Sequence, residues 1–255
     1  MDNNPYSTPD SEVAAVLEPG QCHPPRRVPV GNGIQWIADG FGHFKKDPGI
    51  WIVICIVGFV ILMALSIIPV VAQLSQFTVA IWVGGLMLGC HAQDSDEPLT
   101  INHLFAGFSN NMGPLLVVSV IIVIASLAIL AVIVMAIAGV YGMSIFLGDT
   151  SQLFTEEFVM VILIGLLVYM AAIIPIIALG WFSPALIVLN NVPVFTAMAM
   201  SFKACFINVV PFFIYGLVLS VLFVIGMIPL LLGLLVVMPV FYGSLYRSYK
   251  DIFID

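Results

Sequence analysis

Histidine, cysteine and acidic residues gather near the ends of the apolar segments of this sequence, and these residue types can bind a transition metal. The group comprises Cys90, His91, His103, His43 and Cys205, with Asp94, Asp96 and Glu97 close by. A zinc site uses four nitrogen or sulfur ligands, usually supplied as close pairs along the chain. Here the residues come from distant segments at spacings that match no zinc finger. We therefore expect interfacial polar residues, with a metal site as the alternative.

No pattern for the commoner catalytic or nucleotide-binding sites is present: the sequence lacks GxSxG, HExxH, P-loop and GxGxxG motifs. The long apolar segments also lack Asp, Glu, Lys and Arg, the residues that mark proton relays and ion pathways in membranes. This argues against proton-coupled transport and against hydrolysis within the membrane. We expect no enzymatic activity and no cofactor; an enzyme would require the histidine and cysteine residues to converge.

Hydroxyl groups are the main polar groups inside the apolar segments. They belong to Ser66, Ser119, Ser126, Tyr141, Tyr169, Tyr215 and Ser220. Such side chains commonly form hydrogen bonds between membrane helices or to the helix backbone. We expect that role here, and the alternative is a polar track for a small neutral solute.

The elements that carry these residues are predicted to be membrane spans. The sequence is 62% hydrophobic and only 8% charged, whereas a soluble domain is about a quarter charged. A bilayer core needs roughly 20 helical residues, and the apolar runs are long enough. The predicted spans are residues 49–71, 77–91, 114–143, 158–180, 210–228 and 230–245. The last two come from dividing one apolar block at Pro229.

The distribution of positive charge predicts the orientation. All seven Lys and Arg residues lie outside the predicted spans, and with six spans all lie on the same side as both termini. Short loops rich in Lys and Arg stay in the cytoplasm, so both termini are predicted to be cytoplasmic. The net charge of −7 and the lack of a basic stripe argue against nucleic-acid binding.

Two regions follow from composition. Residues 1–33 contain six prolines and no apolar core, which predicts a disordered, Pro-rich cytoplasmic tail. Residues 34–250 are predicted to form a six-helix membrane domain.

A pattern recurs three times in the membrane domain. In an ungapped alignment Phe41, Phe105 and Phe202 coincide, and each copy then reaches an Asp or Asn. The repeat units are about 34–92, 99–191 and 194–250, each an amphipathic interfacial helix followed by a helical hairpin. Because each unit begins and ends on one side, the repeats are parallel, unlike the inverted repeats of many secondary transporters.

Aromatic and basic residues of the three leading helices are predicted to lie in the headgroup layer, where such residues are enriched. They are Trp36, Phe41, Phe44, Lys45, Lys46, Phe105, Phe108 and Phe202. The two lysines are expected to contact lipid headgroups.

Small residues at four-residue spacing are predicted to mark close helix packing. The pairs are Gly85 and Gly89, Ala138 and Gly142, and Gly216 and Ser220. Packing within one subunit is the first interpretation, and self-association is the alternative.

The motifs GGLMLGC (84–90) and HLFAGF (103–108), with Pro98 between them, resemble the signature of an uncharacterised family of bacterial multi-span inner-membrane proteins. The likeness runs from residue 28 to the C-terminus. Residues 183–202 are also similar to the non-catalytic membrane domains found beside some glycerophosphodiesterases. One departure is His91, where the family has arginine. The resemblance implies a bacterial inner-membrane location and supplies no catalytic residue.

The sequence thus predicts an all-α integral membrane protein with six transmembrane helices in three parallel hairpin repeats. The expected role is non-enzymatic: a membrane-organising or accessory protein that engages membrane lipids, another membrane protein or a second copy. The alternative is a channel or facilitator for a small neutral or apolar solute.

Overall fold

The computed structural model describes residues 22–147 and 155–255, and within them the chain is helical and contains no strand. We number the α-helices in chain order: α1 (Asn32–Lys46), α2 (Pro48–Ser66), α3 (Pro69–Ser75), α4 (Val79–Asp94), α5 (Asn102–Ser109), α6 (Met112–Phe146), α7 (Glu156–Gly180), α8 (Ser183–Asn190), α9 (Val194–Ile207), α10 (Val209–Met227) and α11 (Leu234–Phe253). A short 3-10 helix, Gln76–Thr78, joins α3 to α4. Residues 1–21, which form most of the predicted tail, lie outside the described residues.

Several helical stretches are long and apolar enough to cross a membrane. These five are Pro48–Ser66, Pro69–Asp94, Met112–Gly142, Glu156–Asn190 and Val209–Met227. The prediction of an all-helical protein with long apolar helices is confirmed. The sixth predicted span falls in α11, whose second half carries Arg247, Lys250 and Asp251, so the six-span arrangement stays a prediction.

Proline determines where the first predicted span ends. Residues 49–71 are not one helix, because α2 stops at Ser66 and α3 starts at Pro69. Ile68 is extended between them (φ −105°, ψ 110°), as expected for a residue that precedes proline. Proline suits the first turn of the next helix because its missing N–H would be unpaired there anyway.

The chain turns again at Pro229, the residue at which the sequence predicts a boundary. α10 ends at Met227 and α11 begins at Leu234. Between them Leu230 and Leu231 adopt left-handed backbone angles, with φ of 51° and 68°. Large side chains rarely adopt this conformation, so the turn is a strained one.

The buried core lies at one end of the molecule, which we call the charged end. Here α1 packs on α11, α5 on α4, and α9 on α7 and α8. Trp36, Trp51 and Tyr246 are among its largest fully buried side chains. Helix backbones approach closely: a Cβ at Gly85 of α4 would lie 2.5 Å from the His103 carbonyl oxygen of α5. The short helices thus form the scaffold from which the long helices extend.

At the opposite end, which we call the far end, apolar helices bury little surface. In the most apolar stretch of α6 no residue is buried, and in that of α7 and α8 only 6% are. Near the turns Ile67, Phe146 and Leu230 are 79%, 86% and 89% exposed. Soluble monomers rarely expose apolar patches of this size, so this surface requires an apolar environment.

Residues 22–29 have no regular secondary structure and lie against the C-terminal part of α11. The Arg26 N–H donates to the Ile252 carbonyl oxygen (3.3 Å), and Arg26 Nη2 lies 3.5 Å from Asp251 Oδ1. The Asn208 side chain donates to the Arg26 carbonyl oxygen and accepts from the Val28 N–H. This part of the predicted tail is therefore held by hydrogen bonds where composition alone predicts disorder.

Candidate functional site

Polar side chains from three helices meet at the charged end and form what we call the polar cluster. Its members are His43 from α1, Gln93 and Asp94 from α4, and Arg247 and Lys250 from α11. The α1 and α4 residues come from the last turns of their helices, and the two α11 residues lie about one turn apart on one face. Helix packing therefore brings together residues that lie far apart in sequence.

Asp94 is the centre of the polar cluster. Lys250 donates from Nζ to Asp94 Oδ2 at 2.7 Å, and Arg247 Nη1 lies 3.8 Å from the same oxygen. Arg247 Nε also lies 3.3 Å from Asp39 Oδ2 on α1. The side chains of Asp94 and Lys250 are only 19% and 25% exposed, so salt screens their attraction less than it would at the surface. These ion pairs link α11 to both α4 and α1.

His43 is 4% exposed, and both of its ring nitrogens face acceptors. Nδ1 lies 3.4 Å from Gln93 Oε1, and Nε2 lies 3.5 Å from Asp94 Oδ1. Trp51 Nε1 donates to the same Gln93 oxygen at 3.3 Å, which orients the amide. The Tyr246 ring stands edge-on to the imidazole at 5.4 Å. A protonated imidazole would satisfy both acceptors, whereas a neutral one satisfies one of them.

Burial opposes that protonation. It lowers the pKa of His43 below its ordinary value, and the cations Lys46 and Arg247 act in the same direction. The negative charge of Asp94 and the hydrogen bond that His43 Nδ1 donates to Gln93 Oε1 raise the pKa, but not enough to cancel the effect of burial. His43 is therefore uncharged at neutral pH, and its protonation is governed by opposing local effects.

Asp251 forms a second polar junction beside the cluster. Its Oδ2 accepts from Trp36 Nε1 at 2.7 Å and from Asn32 Nδ2 at 2.8 Å, both on α1. Its backbone oxygen accepts from Arg26 Nε at 2.8 Å. Asp251 and the polar cluster together fasten α1, α4, α11 and the chain before α1. In chemical terms these groups neutralise one another and hold helices in place.

The residues considered as alternative metal ligands do not converge in the described part of the chain. The described residues contain no group of three or more His, Cys, Asp or Glu side chains arranged to hold a metal ion. His43 and Asp94 do meet, within the polar cluster. The others lie apart: Cys90 in the core, His91 beside the Tyr246 hydroxyl, His103 beside Thr100, and Cys205 near the Ala178 carbonyl oxygen.

Trp36 departs from its predicted place in the headgroup layer. It is 1% exposed, and its ring packs against Phe212 and Tyr215 at 5.2 and 5.9 Å. The physical reason is its bond to Asp251, a partly buried partner that satisfies the indole N–H. Enrichment of tryptophan at interfaces does not distinguish an anchor from such a core residue.

The other predicted interfacial residues occupy varied positions. Phe105 and Phe202 are 41% and 38% exposed, and Lys45 is exposed. Lys46 is exposed as a residue, but its Nζ donates to the Gln93 carbonyl oxygen at 2.6 Å. The partly buried members of the set are Phe41, Phe44 and Phe108.

The predicted small-residue pairs differ in what they contact. Gly85 and Gly89 lie against α5, where a Cβ at either would crowd the neighbouring helix. A Cβ at Gly142 would touch only Ala138 of its own helix, and one at Gly216 would meet nothing within 4 Å. Ser220 donates to the Gly216 carbonyl oxygen. The last two pairs thus lie on open surface.

Hydroxyl groups of the spans bond mostly within their own helices. Ser126 Oγ donates to the Ile122 carbonyl oxygen at 2.7 Å, and Ser66 Oγ to that of Met63 at 2.7 Å. Ser119 instead accepts from the Ala80 N–H at 3.0 Å and joins α6 to α4. These bonds give no support to a continuous polar path.

Comparisons of the chain with protein-family models, curated proteins and solved structures gave no match. The functional assignment therefore rests on the residues described above.

Proposed function

We propose that this chain is a non-enzymatic integral membrane protein that organises lipid or an associated membrane protein around its apolar hairpins. The observation that carries this proposal is the exposure of the spans. No residue in the most apolar stretch of α6 is buried within the chain. The binding surface of these helices must therefore be completed by lipid or by another apolar partner.

The distribution of charge supports the same role. The ionisable side chains of the polar cluster pair with one another at the charged end. Intramembrane charge is the usual mark of coupled transport, and the α2, α6 and α10 helices carry none. The spans offer apolar surface and the charged end offers rigidity, which suits an accessory protein better than a catalyst or pump.

The proposed architecture has six spans in three parallel repeats. Both termini lie in the cytoplasm of a bacterial cell. This architecture is supported by a recurrent contact: α1 packs on α11, α5 on α4, and α9 on α7 and α8. α5 and α9 each lie on the returning helix of the unit before, and α1 lies on the returning helix of the last unit. The Lys250–Asp94 contact supports a common side for the ends of α4 and α11.

Lipid selectivity tests the proposed role. Lys45 is the better target of the two adjacent lysines, because Lys46 also contacts Gln93. A cation near an anionic surface contributes about 1 kcal/mol, so Lys45→Glu should lower the preference for phosphatidylglycerol over phosphatidylcholine at least about fivefold. Electron spin resonance of spin-labelled lipids around the reconstituted protein measures this preference.

Lys45→Arg is the matched control and should retain the wild-type preference, because it keeps the charge. If wild type, Lys45→Glu and Lys45→Arg showed the same lipid preference, Lys45 would not contact headgroups. The lipid-engaging role would then be contradicted.

A further inference from the structure

An apolar groove of about 410 Å³ lies between α2 and α11. On α2 its wall includes Trp51, Cys55 and Leu62, and on α11 it includes Met238 and Tyr242. The turn residues 230–232 also line it. This volume is within the range of about 300–1,000 Å³ typical of small-molecule sites. Both walls belong to hairpins whose other surfaces are apolar and exposed.

The groove has the length and direction of an acyl chain in one leaflet. Trp51 marks its end nearest the polar cluster, and Leu62 marks its end nearest the far end. About 16 Å of helix separates these two residues. The hydrocarbon layer of one leaflet has a similar thickness, about 15 Å. A chain that entered beside Trp51 would thus end at the strained turn that contains Leu230 and Leu231.

Two polar groups lie at or near the groove. Tyr242 lines the groove, and its hydroxyl can donate a hydrogen bond. Lys46 Nζ donates to the Gln93 carbonyl oxygen, and the Gln93 side-chain oxygen accepts from Trp51 Nε1, so Gln93 contacts both a cation and a residue that lines the groove. A hydroxyl donor and a nearby cation complement the ester and phosphate groups of a phospholipid.

One position in the wall is open. Gly58 lines the groove, and a Cβ there would meet no atom within 4 Å. A Cβ at this point would therefore displace no protein atom, and we expect a larger side chain here to occupy groove space.

We propose that the groove between α2 and α11 binds one acyl chain of a glycerophospholipid, with its ester near Tyr242 and its methyl end at residues 230–232. This deepens the proposed function and rests on it. It predicts one defined lipid position on the protein.

Photolabelling with positional probes tests the proposal. The full-length protein is placed in nanodiscs that contain phosphatidylglycerol with a diazirine either next to the ester or at the end of one acyl chain. We expect the end-of-chain probe to label Leu62 and residues 230–232, and the ester-proximal probe to label Cys55 and Tyr242. Gly58→Leu should reduce labelling at these positions about tenfold, because its side chain fills the groove.

Gly139→Leu is the matched control, since Gly139 also has no atom within 4 Å of its Cβ position but lies on α6, away from the groove. It should leave labelling unchanged. The assignment would be overturned if Gly58→Leu and wild type were labelled equally. It would also be overturned if both probes gave the same labelling pattern in wild type. Displacement of the label by free oleate but not by unlabelled phosphatidylglycerol would also overturn it.

Loss of groove labelling is distinguishable from failure of the proposed function. A groove without lipid would leave the headgroup preference that depends on Lys45 intact, whereas failure of the lipid-engaging role would abolish that preference.

Discussion

Lys250 Nζ lies 2.7 Å from Asp94 Oδ2, and this contact joins α11 to the end of α4 across 156 positions of sequence. Asp94 also faces Arg247, so Asp94→Asn leaves two cations with a weaker partner. A double-mutant cycle with Lys250→Met should give a coupling of about 1–3 kcal/mol in the free energy of unfolding. Titration with SDS in mixed micelles measures it.

Asp96→Asn is the matched control, because Asp96 is exposed and asparagine tolerates its left-handed backbone (φ 58°). It should change the free energy of unfolding by less than about 0.5 kcal/mol. Additive effects of Asp94→Asn and Lys250→Met would contradict the coupling.

His43 should make stability depend on pH. Its pKa in the folded protein is below the ordinary value of 6.5, so near that pH the unfolded chain binds a proton that the folded protein does not. The free energy of unfolding should therefore fall as pH drops through about 6.5 and level off below the folded pKa. Thermal unfolding between about pH 8 and pH 5 measures this.

His43→Asn should flatten that part of the pH profile, because asparagine can still donate to Gln93 but does not titrate. Asp94, Lys46 and Arg247 face the same site, and all three are unchanged in His43→Asn. The same pH slope in His43→Asn and wild type would assign the effect to other groups.

Gly85 should tolerate no side chain. Its Cβ would meet the His103 carbonyl oxygen at 2.5 Å and the Gly107 nitrogen at 3.0 Å, and overpacking of this kind costs about 1–3 kcal/mol. Gly85→Ala should lower the free energy of unfolding by that amount. Gly216→Ala, with open space around its Cβ, is the control and should cause no loss; equal effects of the two changes would argue against α4–α5 contact.

Asn208 should control the accessibility of the chain before α1. Its side chain bonds both the Arg26 carbonyl oxygen and the Val28 N–H. Removing two hydrogen bonds, each about 1 kcal/mol, should expose this segment and raise trypsin cleavage at Arg26 or Arg27 about thirtyfold in Asn208→Ala.

Asn110→Ala is the matched control for this experiment. The Asn110 side chain donates to the Ala106 carbonyl oxygen of its own helix, so cleavage should stay at the wild-type rate. Cleavage of Asn208→Ala at the wild-type rate, as in the control, would show that Asn208 does not hold the segment.

Sequence composition was sufficient to predict the helical membrane character, because uninterrupted apolar runs and charges confined to their ends are local signals. The predicted segment 158–180 closely matches α7 (Glu156–Gly180), where Thr155 caps the helix by accepting from the Phe158 N–H. Proline was the main local signal that limited helix length, and the break before Pro69 shows its effect.

The polar cluster could not be predicted from the sequence. The sequence gives no sign that Asp94, Arg247 and Lys250 pair, because each resembles a solvated charge near a helix end. No periodicity connects residues so far apart in sequence. Their pairing depends on how α11 crosses α4. Trp36 shows the same limit, because its burial results from Asp251, a partner near the other end of the chain.

The most direct test of the proposed architecture is the sidedness of single cysteines in sealed right-side-out membrane vesicles. Single cysteines replace Ile67, Ile228, Asp96 or Asp255 in a background without the four native cysteines. A membrane-impermeant maleimide should label positions 67 and 228 in intact vesicles, and positions 96 and 255 only after permeabilisation. Labelling of positions 96 and 255 from opposite sides would contradict six spans and a common side for the charged end.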